Sequence, residues 1–260
     1  MRLLALTCLA LAGCATVPPR PAAGDDIYHY VRSNRDGSDP EHVVQFRPAR
    51  TRIGVYKWVE KCTTAAYVTA EMDDAVREGR LFTAGKVARD GSQASFGTLT
   101  LDGFVLVAEI DPPGAPHISA RHQLKSRPYL LYDFDFADLN AFLQTHQPRA
   151  DFAYQLPVVW PGKDGIFKDY GQLHARYAAL ERHLGRPTVR FDLSVDGDRE
   201  TAGTLWIDAA RGFIVEADLG LPNHQEYRDF RLRLDRVETG GRRAWDALTR
   251  SQYSACPTGN

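Results

Sequence analysis

Three aspartates, Asp133, Asp135 and Asp138, form the densest acidic cluster of the chain. Paired carboxylates can act as general acid and base, or they can bind Ca²⁺. A helix over about 136–146 offers another interpretation, because Asp135 would cap its N-terminus and Asp138 would lie in its first turn, where a negative charge is favourable. The apolar stripe along this segment favours the helix interpretation.

The other reactive residues do not form a known catalytic pattern. Gly-x-Ser-x-Gly and His-Glu-x-x-His are both absent, and the eight histidines are scattered. Zinc ligands have to converge, and this spacing gives no sign that they do, although a site assembled from distant loops stays an alternative. Asp196-Gly197-Asp198 lacks the later Gly and Glu of a calcium loop and indicates a hairpin turn. We expect no catalytic residue, no metal site and no cofactor.

The N-terminus carries the parts of a secretory signal. Arg2 precedes an apolar run from Leu3 to Ala12, which is shorter than the about 20 residues that span a bilayer. Leu11-Ala12-Gly13-Cys14 resembles the lipobox of bacterial lipoproteins. The resemblance implies that residues 1–13 are removed and that Cys14 is acylated, and Ala15 after it favours the outer membrane. An ordinary secretory signal is the alternative.

Two cysteines remain in the exported chain, because Cys8 leaves with the signal and Cys14 would carry lipid. Cys62 and Cys256 would meet an oxidising compartment, where disulfides persist. A bond between them would close most of the domain into a loop and stabilise it by up to about 4–5 kcal/mol. We expect this disulfide; two buried thiols, or a reactive Cys62, are the alternatives.

The length and net charge of the chain exclude some classes of protein. The net charge of −1 argues against a nucleic-acid-binding protein, which would show a basic stripe, and against a polybasic membrane surface. Residues 14–25 contain the acylated cysteine and a Pro/Ala tether, which favours extended geometry. Residues 26–260 are long enough for a single β-rich domain.

Alternating apolar and polar residues predict strands through most of this domain. The clearest alternation lies at 188–237, where Val189, Phe191 and Leu193 begin an antiparallel meander. Further candidate strands lie at 27–33, 42–47, 51–59, 65–70, 80–88, 95–101, 103–110, 117–124 and 128–134. The expected fold is mainly β (α+β), a large curved antiparallel sheet or open half-barrel with one or two covering helices.

Two features leave alternatives open. Residues 172–185 have apolar residues at helical spacing, with Gly185 and Pro187 after them, which favours a helix over a long bent strand. The segments at 97–102 and 203–208 resemble each other, Gly-Thr-Leu-Thr-Leu-Asp against Gly-Thr-Leu-Trp-Ile-Asp. They indicate either two similar halves or a chance recurrence of short hairpins.

The meander carries a family resemblance. Gly-Thr-Leu-Trp-Ile-Asp at 203–208, a turn, and Gly-Phe-Ile-Val-Glu-Ala at 212–217 are similar to strands of the lipoprotein-localisation carrier and receptor (LolA/LolB-like) superfamily. The similarity covers about 50 residues of sequence. It implies a curved β-sheet in a Gram-negative envelope protein, and it transfers no lipid-handling residue.

Aromatic residues suggest a function for such a sheet. They are Tyr28, Tyr30, Tyr56, Trp58, Tyr129, Tyr132, Phe134, Tyr154 and Trp160. On a concave face they would hold an apolar ligand, or they would simply fill the core. We expect a non-enzymatic protein held at the outer membrane by acyl chains, with its domain in the periplasm, that binds an apolar ligand or lipid. A scaffold for envelope proteins is the alternative, and a hydrolase is a third hypothesis.

Overall fold

The computed structural model describes residues 24–163, 165–196 and 198–256, without the side chains of residues 198 and 199. The signal, Cys14 and the tether through residue 23 lie outside the described residues. Gly197 of the predicted turn at 196–198 lies outside them as well.

Fourteen strands and two helices make up the described fold. The strands are β1 (Asp26–Ser33), β2 (Glu41–Ala49), β3 (Arg52–Trp58), β4 (Ala66–Met72), β5 (Gly79–Val87), β6 (Gln93–Asp102), β7 (Val105–Ile110), β8 (Ile118–Gln123), β9 (Phe152–Gly162), β10 (Gly165–His183), β11 (Arg186–Val195), β12 (Asp198–Asp208), β13 (Ile214–Leu219) and β14 (Phe230–Thr239). The helices are α1 (Ala137–His146) and α2 (Gly241–Arg250). Neither described helix has the length and apolar character to cross a membrane.

All the strands join one antiparallel sheet, in the order β8-β7-β6-β5-β4-β3-β2-β1-β14-β13-β12-β11-β10-β9. The sheet curves until its two ends approach each other. At the point of approach, His122 of β8 stacks on Phe167 of β10, with ring centres 5.4 Å apart. The segment after β8 then bonds to β9 through a parallel bridge between Tyr129 and Gln155. The predicted fold class, a curved antiparallel sheet with covering helices, is confirmed.

Each face of the sheet has its own hydrophobic core. The inner, concave face carries Tyr28, Tyr30 and Val55, and it packs against α1 and the segment 124–136 that precedes α1. On the outer face, Phe46 and Tyr67 pack against Trp245 of α2. The two cores exist because strand side chains alternate between faces, so a central strand such as β1 is buried on both sides.

The predicted disulfide is confirmed. Cys62, in the loop between β3 and β4, is bonded to Cys256, with their Cα atoms 5.4 Å apart. The bond closes a loop of 194 residues in sequence. It holds the segment after α2 against the outer face, next to the smaller core.

The helix predicted over 172–185 is wrong. These residues belong to β10, which pairs with β9 along one side and with β11 along the other. Strand pairing supplies the backbone partners that a helix would have supplied. A bulge between Tyr177 and Ala179 shifts the register, and this shift breaks the strict alternation that identifies a strand.

Three other elements differ from the expectation. The strand predicted at 128–134 is a buried irregular segment that ends in a 3₁₀ turn at Tyr132–Phe134. The sequence pattern did not predict β9 or α2. Only Trp245 and a few neighbours of α2 face the core, because its other residues are mostly charged, so its apolar stripe is too narrow to stand out.

The two similar segments each lie in the first strand of a hairpin. Residues 97–102 are in β6, residues 203–208 are in β12, and each strand pairs with the strand that follows it. The internal duplication stays a prediction.

Candidate functional site

One end of the inner face is occupied by charged side chains rather than apolar ones. Arg32 lies near the end of β1, Glu41 begins β2, Lys57 lies near the end of β3, and His224 is in the loop between β13 and β14. Antiparallel pairing brings these positions together. Arg32 is opposite Glu41, and His42, the residue after Glu41, is opposite Trp58, the residue after Lys57. We call these four residues and Asp135 the charged cluster.

Asp135 is the centre of the charged cluster and is fully buried. Lys57 Nζ lies 2.9 Å from its Oδ2, and Arg32 Nη1 lies 3.6 Å from its Oδ1. The Asn223 amide donates to the same Oδ1 at 2.7 Å. Two cations and one amide therefore surround a single carboxylate.

Arg32 joins the charged cluster to the protein surface. Its Nη2 donates to Glu41 at 2.6 Å, and its guanidinium lies 3.9 Å from the ring centre of Tyr227. Its own side chain is only 2% exposed, whereas that of the neighbouring Glu226, 3.7 Å away, is 64% exposed. The charged cluster thus runs from the interior to solvent through the loop between β13 and β14.

Burial and charge set the protonation states in this cluster. Burial raises the pKa of Asp135, but Lys57 and Arg32 outweigh that effect and hold the pKa below its usual value. Burial, and then the same two cations, lower the pKa of His224 well below its usual value. We conclude that Asp135 is ionised and His224 is neutral at pH 7.

The predicted capping role of Asp135 is wrong. The residue before α1 is Phe136, and no side-chain hydrogen bond caps the helix. Asp135 and Phe136 both have left-handed backbones, with φ of 53° and 55°. Such strain persists only where the surroundings fix it, and here Gln45 donates to the Asp135 carbonyl while the ion pairs hold its carboxylate.

The other two aspartates have separate partners. Asp133 accepts the backbone N–H of Val159 at 3.0 Å. Asp138 lies in the first turn of α1, as predicted, and accepts the backbone N–H groups of Leu131 and Leu139 at 2.8 and 2.9 Å. Burial raises the pKa of Asp133 to about 6 and that of Asp138 to about 7. The three carboxylates support the chain around α1, each with its own set of bonds.

Raising the pH from 4 to 7 is expected to weaken the fold through Asp138. Its folded pKa of about 7 exceeds the unfolded value of 3.8, so between these values the folded state keeps a proton that the unfolded state has lost. Stability therefore falls as pH rises, by about 2–4 kcal/mol in total. Thermal melting between pH 4 and 7 should show this slope. Asp138→Asn, which has no proton to lose, should reduce the slope to the smaller part that Asp133 contributes below pH 6, and an unchanged slope in the variant would contradict the assignment.

The predicted aromatic residues fill the protein rather than line an open cavity. Tyr28, Tyr30, Tyr56, Tyr129, Tyr132, Phe134 and Tyr154 are buried, and Trp58 and Trp160 are half-buried. Tyr56 belongs to the outer core, so the set is divided between the two faces. A gap between α1 and the sheet, lined by Tyr28, Ile53 and Ala141, measures about 10 Å³, which is about the space for one water.

The outer face of β10–β13 carries a second polar cluster, in which Glu216 is buried and the other members are partly exposed. His183 stacks on Trp206 with ring centres 4.0 Å apart, and His183 Nε2 lies 2.7 Å from a Glu216 carboxylate oxygen. Trp206 Nε1 donates to Glu181 at 2.6 Å, and Arg190 lies 3.4 Å from Glu181. We call these five residues the outer-face patch.

Strand register alone brings the outer-face patch together. Arg190 of β11 is opposite Trp206 of β12, which is opposite Glu216 of β13. A shallow depression of about 570 Å³ lies on the neighbouring part of β9–β11, lined by His174, Arg176 and other residues. The sequence analysis missed this patch, because two of its members lie in the segment predicted as helix.

The side chains of these clusters are suited to positioning parts of the fold and to binding a partner. Within the described residues, no group of three or more His, Cys, Asp or Glu side chains is placed to hold a metal ion. The charged cluster pairs its cations with carboxylates, so it connects α1 to the sheet. The outer-face patch offers aromatic and charged groups at a surface. Comparison with models of known protein families and with curated proteins finds no match to this chain.

Proposed function

We propose that this chain is a lipid-anchored protein of the bacterial cell envelope that acts by binding, without catalysis. Its anchor is Cys14, and its domain binds a partner protein through the outer-face patch. The lipobox-like Leu-Ala-Gly-Cys sequence supports the anchor. Two or more acyl chains would hold the protein stably at a membrane.

The filled inner face is the observation that favours a protein partner over an apolar ligand. Residues 124–147 occupy the concave side of the sheet, and Leu130, Leu139 and Leu143 are fully buried there. An apolar ligand would have to displace this segment and break the bonds of Asp135. The geometry therefore favours the scaffold alternative over the apolar-ligand hypothesis.

The composition of the outer-face patch supports a protein partner. Trp and Arg are enriched where proteins bind each other, and charged groups at the rim set specificity. Trp206 is half-exposed, and the Arg190 side chain is 36% exposed. A partner can reach both without any change in the fold.

A photo-reactive amino acid at Arg190, in the full chain in intact cells, tests the proposal. We expect one discrete protein adduct, reduced at least five-fold by Trp206→Ala. The matched control is the same amino acid at Arg121 on β8, whose side chain is 63% exposed. Melting curves would confirm that Trp206→Ala is folded.

Two outcomes would contradict the proposal. Equal yields of protein adduct at positions 190 and 121 would show that other proteins contact the domain without preferring the outer-face patch. Adducts at 190 that persist unchanged in Trp206→Ala would remove the patch from the interaction.

A further inference from the structure

The hairpin between β10 and β11 exposes two leucines. Leu180 is 63% exposed, and Leu184, in the turn, is 43% exposed. Leu180 is opposite Val189, which is buried, so it belongs to the inner-face register. It is uncovered because the pairing of β9 with β10 ends at Ala175, opposite Phe152, and the hairpin continues beyond it.

The chain reaches the domain at the same end of the sheet. β1 starts opposite the end of β14, and antiparallel order from β14 through β11 places the end of β10 on that side. Side-chain and backbone contacts connect the two places. The Arg211 guanidinium contacts Asp26, its backbone N–H donates to Asp208 at 2.9 Å, and Asp208 lies 3.9 Å from Arg186 at the base of the hairpin.

The length of the tether limits how far this end can be from the lipid. Ten peptide bonds join Cys14 to Gly24, where the described chain begins, and they span at most about 36 Å. If Cys14 carries acyl chains, this end of the sheet lies within about 36 Å of the membrane surface. Among the described residues, Val59 is the other large aliphatic side chain that is strongly exposed, at 63%, and it follows the end of β3, at the opposite end of the sheet from the start of β1.

We propose that the side chains of Leu180 and Leu184, at the tip of the β10–β11 hairpin, insert into the lipid interface beside the acyl anchor. This inference rests on the proposed acylation of Cys14. Leu180 and Leu184 would enter the boundary between headgroups and acyl chains. Arg182 lies between the two leucines and Arg186 follows them, and their guanidinium groups can donate to lipid phosphates while their stems stay in the apolar layer. Insertion of these two leucines would fix the orientation of the domain, with Glu181 and His183 of the outer-face patch on the other face of the same hairpin.

The test uses the full acylated chain in vesicles of phosphatidylethanolamine and phosphatidylglycerol. A fluorophore is attached to Leu184→Cys or, as the matched control, to Val59→Cys, and spin-labelled lipids quench it. Each new cysteine is the free thiol, since Cys62 and Cys256 are bonded. We expect at least three-fold stronger quenching at position 184 than at position 59.

A second pair of variants checks the role of the leucines. With the fluorophore on Arg182→Cys, the change Leu180→Asp with Leu184→Asp should reduce quenching to the level of position 59. Val59→Asp, which adds one negative charge at the same 63% exposure as Leu180, should leave quenching at 182 unchanged.

The outcomes separate this inference from the proposed function. Equal, weak quenching at 184 and 59 in a chain whose Cys14 is acylated by mass would overturn the inserted tip and leave the anchor in place. An unmodified Cys14 that leaves both positions unquenched would overturn the anchor and the tip together. A protein adduct from position 184 in cells, without lipid quenching, would assign the tip to a protein partner and overturn the lipid contact.

Discussion

Replacement of Asp135 by alanine is expected to lower the free energy of unfolding by about 3–5 kcal/mol, the cost of leaving buried charges unpaired. Lys57 and Arg32 would lose their shared carboxylate, and their side chains are only 7% and 2% exposed. Asn223 would lose an acceptor too. Urea unfolding followed by circular dichroism measures the change.

Asp192→Ala is the matched control for this variant. Asp192 pairs with Arg176 at 2.8 Å, but the two side chains are 40% and 72% exposed. Exposed pairs contribute about 0–1 kcal/mol, so the control should lose less than about 1 kcal/mol. An effect of Asp135→Ala no larger than that of Asp192→Ala would show that the charged cluster does not hold α1 to the sheet.

Replacement of Cys62 and Cys256 together by serine is expected to cost about 3–5 kcal/mol, because the bond restricts a loop of 194 residues in the unfolded chain. The loss should concentrate at the outer core. Trp245 of α2, which donates to Tyr67 at 3.0 Å, and Tyr253 would lose their covalent connection to the β3–β4 loop. Hydrogen exchange should become faster in α2 than in α1.

Reduction of the unchanged protein provides the control for the serine variant. The reduced protein and the double variant should unfold at the same urea concentration, since both lack only the cross-link. A double variant as stable as the oxidised protein, with α2 still protected, would show that side-chain packing alone holds the C-terminal segment.

Local alternation was enough to predict most of the strands. β11 and β14 carry apolar residues at every second position, a pattern that depends only on the sheet having two faces, whereas strands such as β1 and β2 alternate less regularly because they are buried on both sides. The disulfide could be predicted because only Cys62 and Cys256 remain after the signal and Cys14 are set aside.

The two candidate sites could not be predicted, because each depends on pairing across the sheet. Asp135 meets Lys57 through the curvature of the sheet and the turn before α1, and local sequence indicated only a helix cap. His183 meets Trp206 and Glu216 only after the bulge in β10 has set the register. Such contacts join residues far apart in sequence, so they cannot be predicted from the spacing of residues along the chain.

Native mass spectrometry of the full chain extracted in mild detergent distinguishes a filled concave face from one that holds a ligand. We expect an N-terminus at Cys14 that carries acyl chains, an intact Cys62–Cys256 bond, and no apolar molecule released from the domain on denaturation. An apolar compound bound in equal proportion to the folded protein, and lost when Asp135→Ala opens the inner face, would contradict it and would make the concave face the binding site.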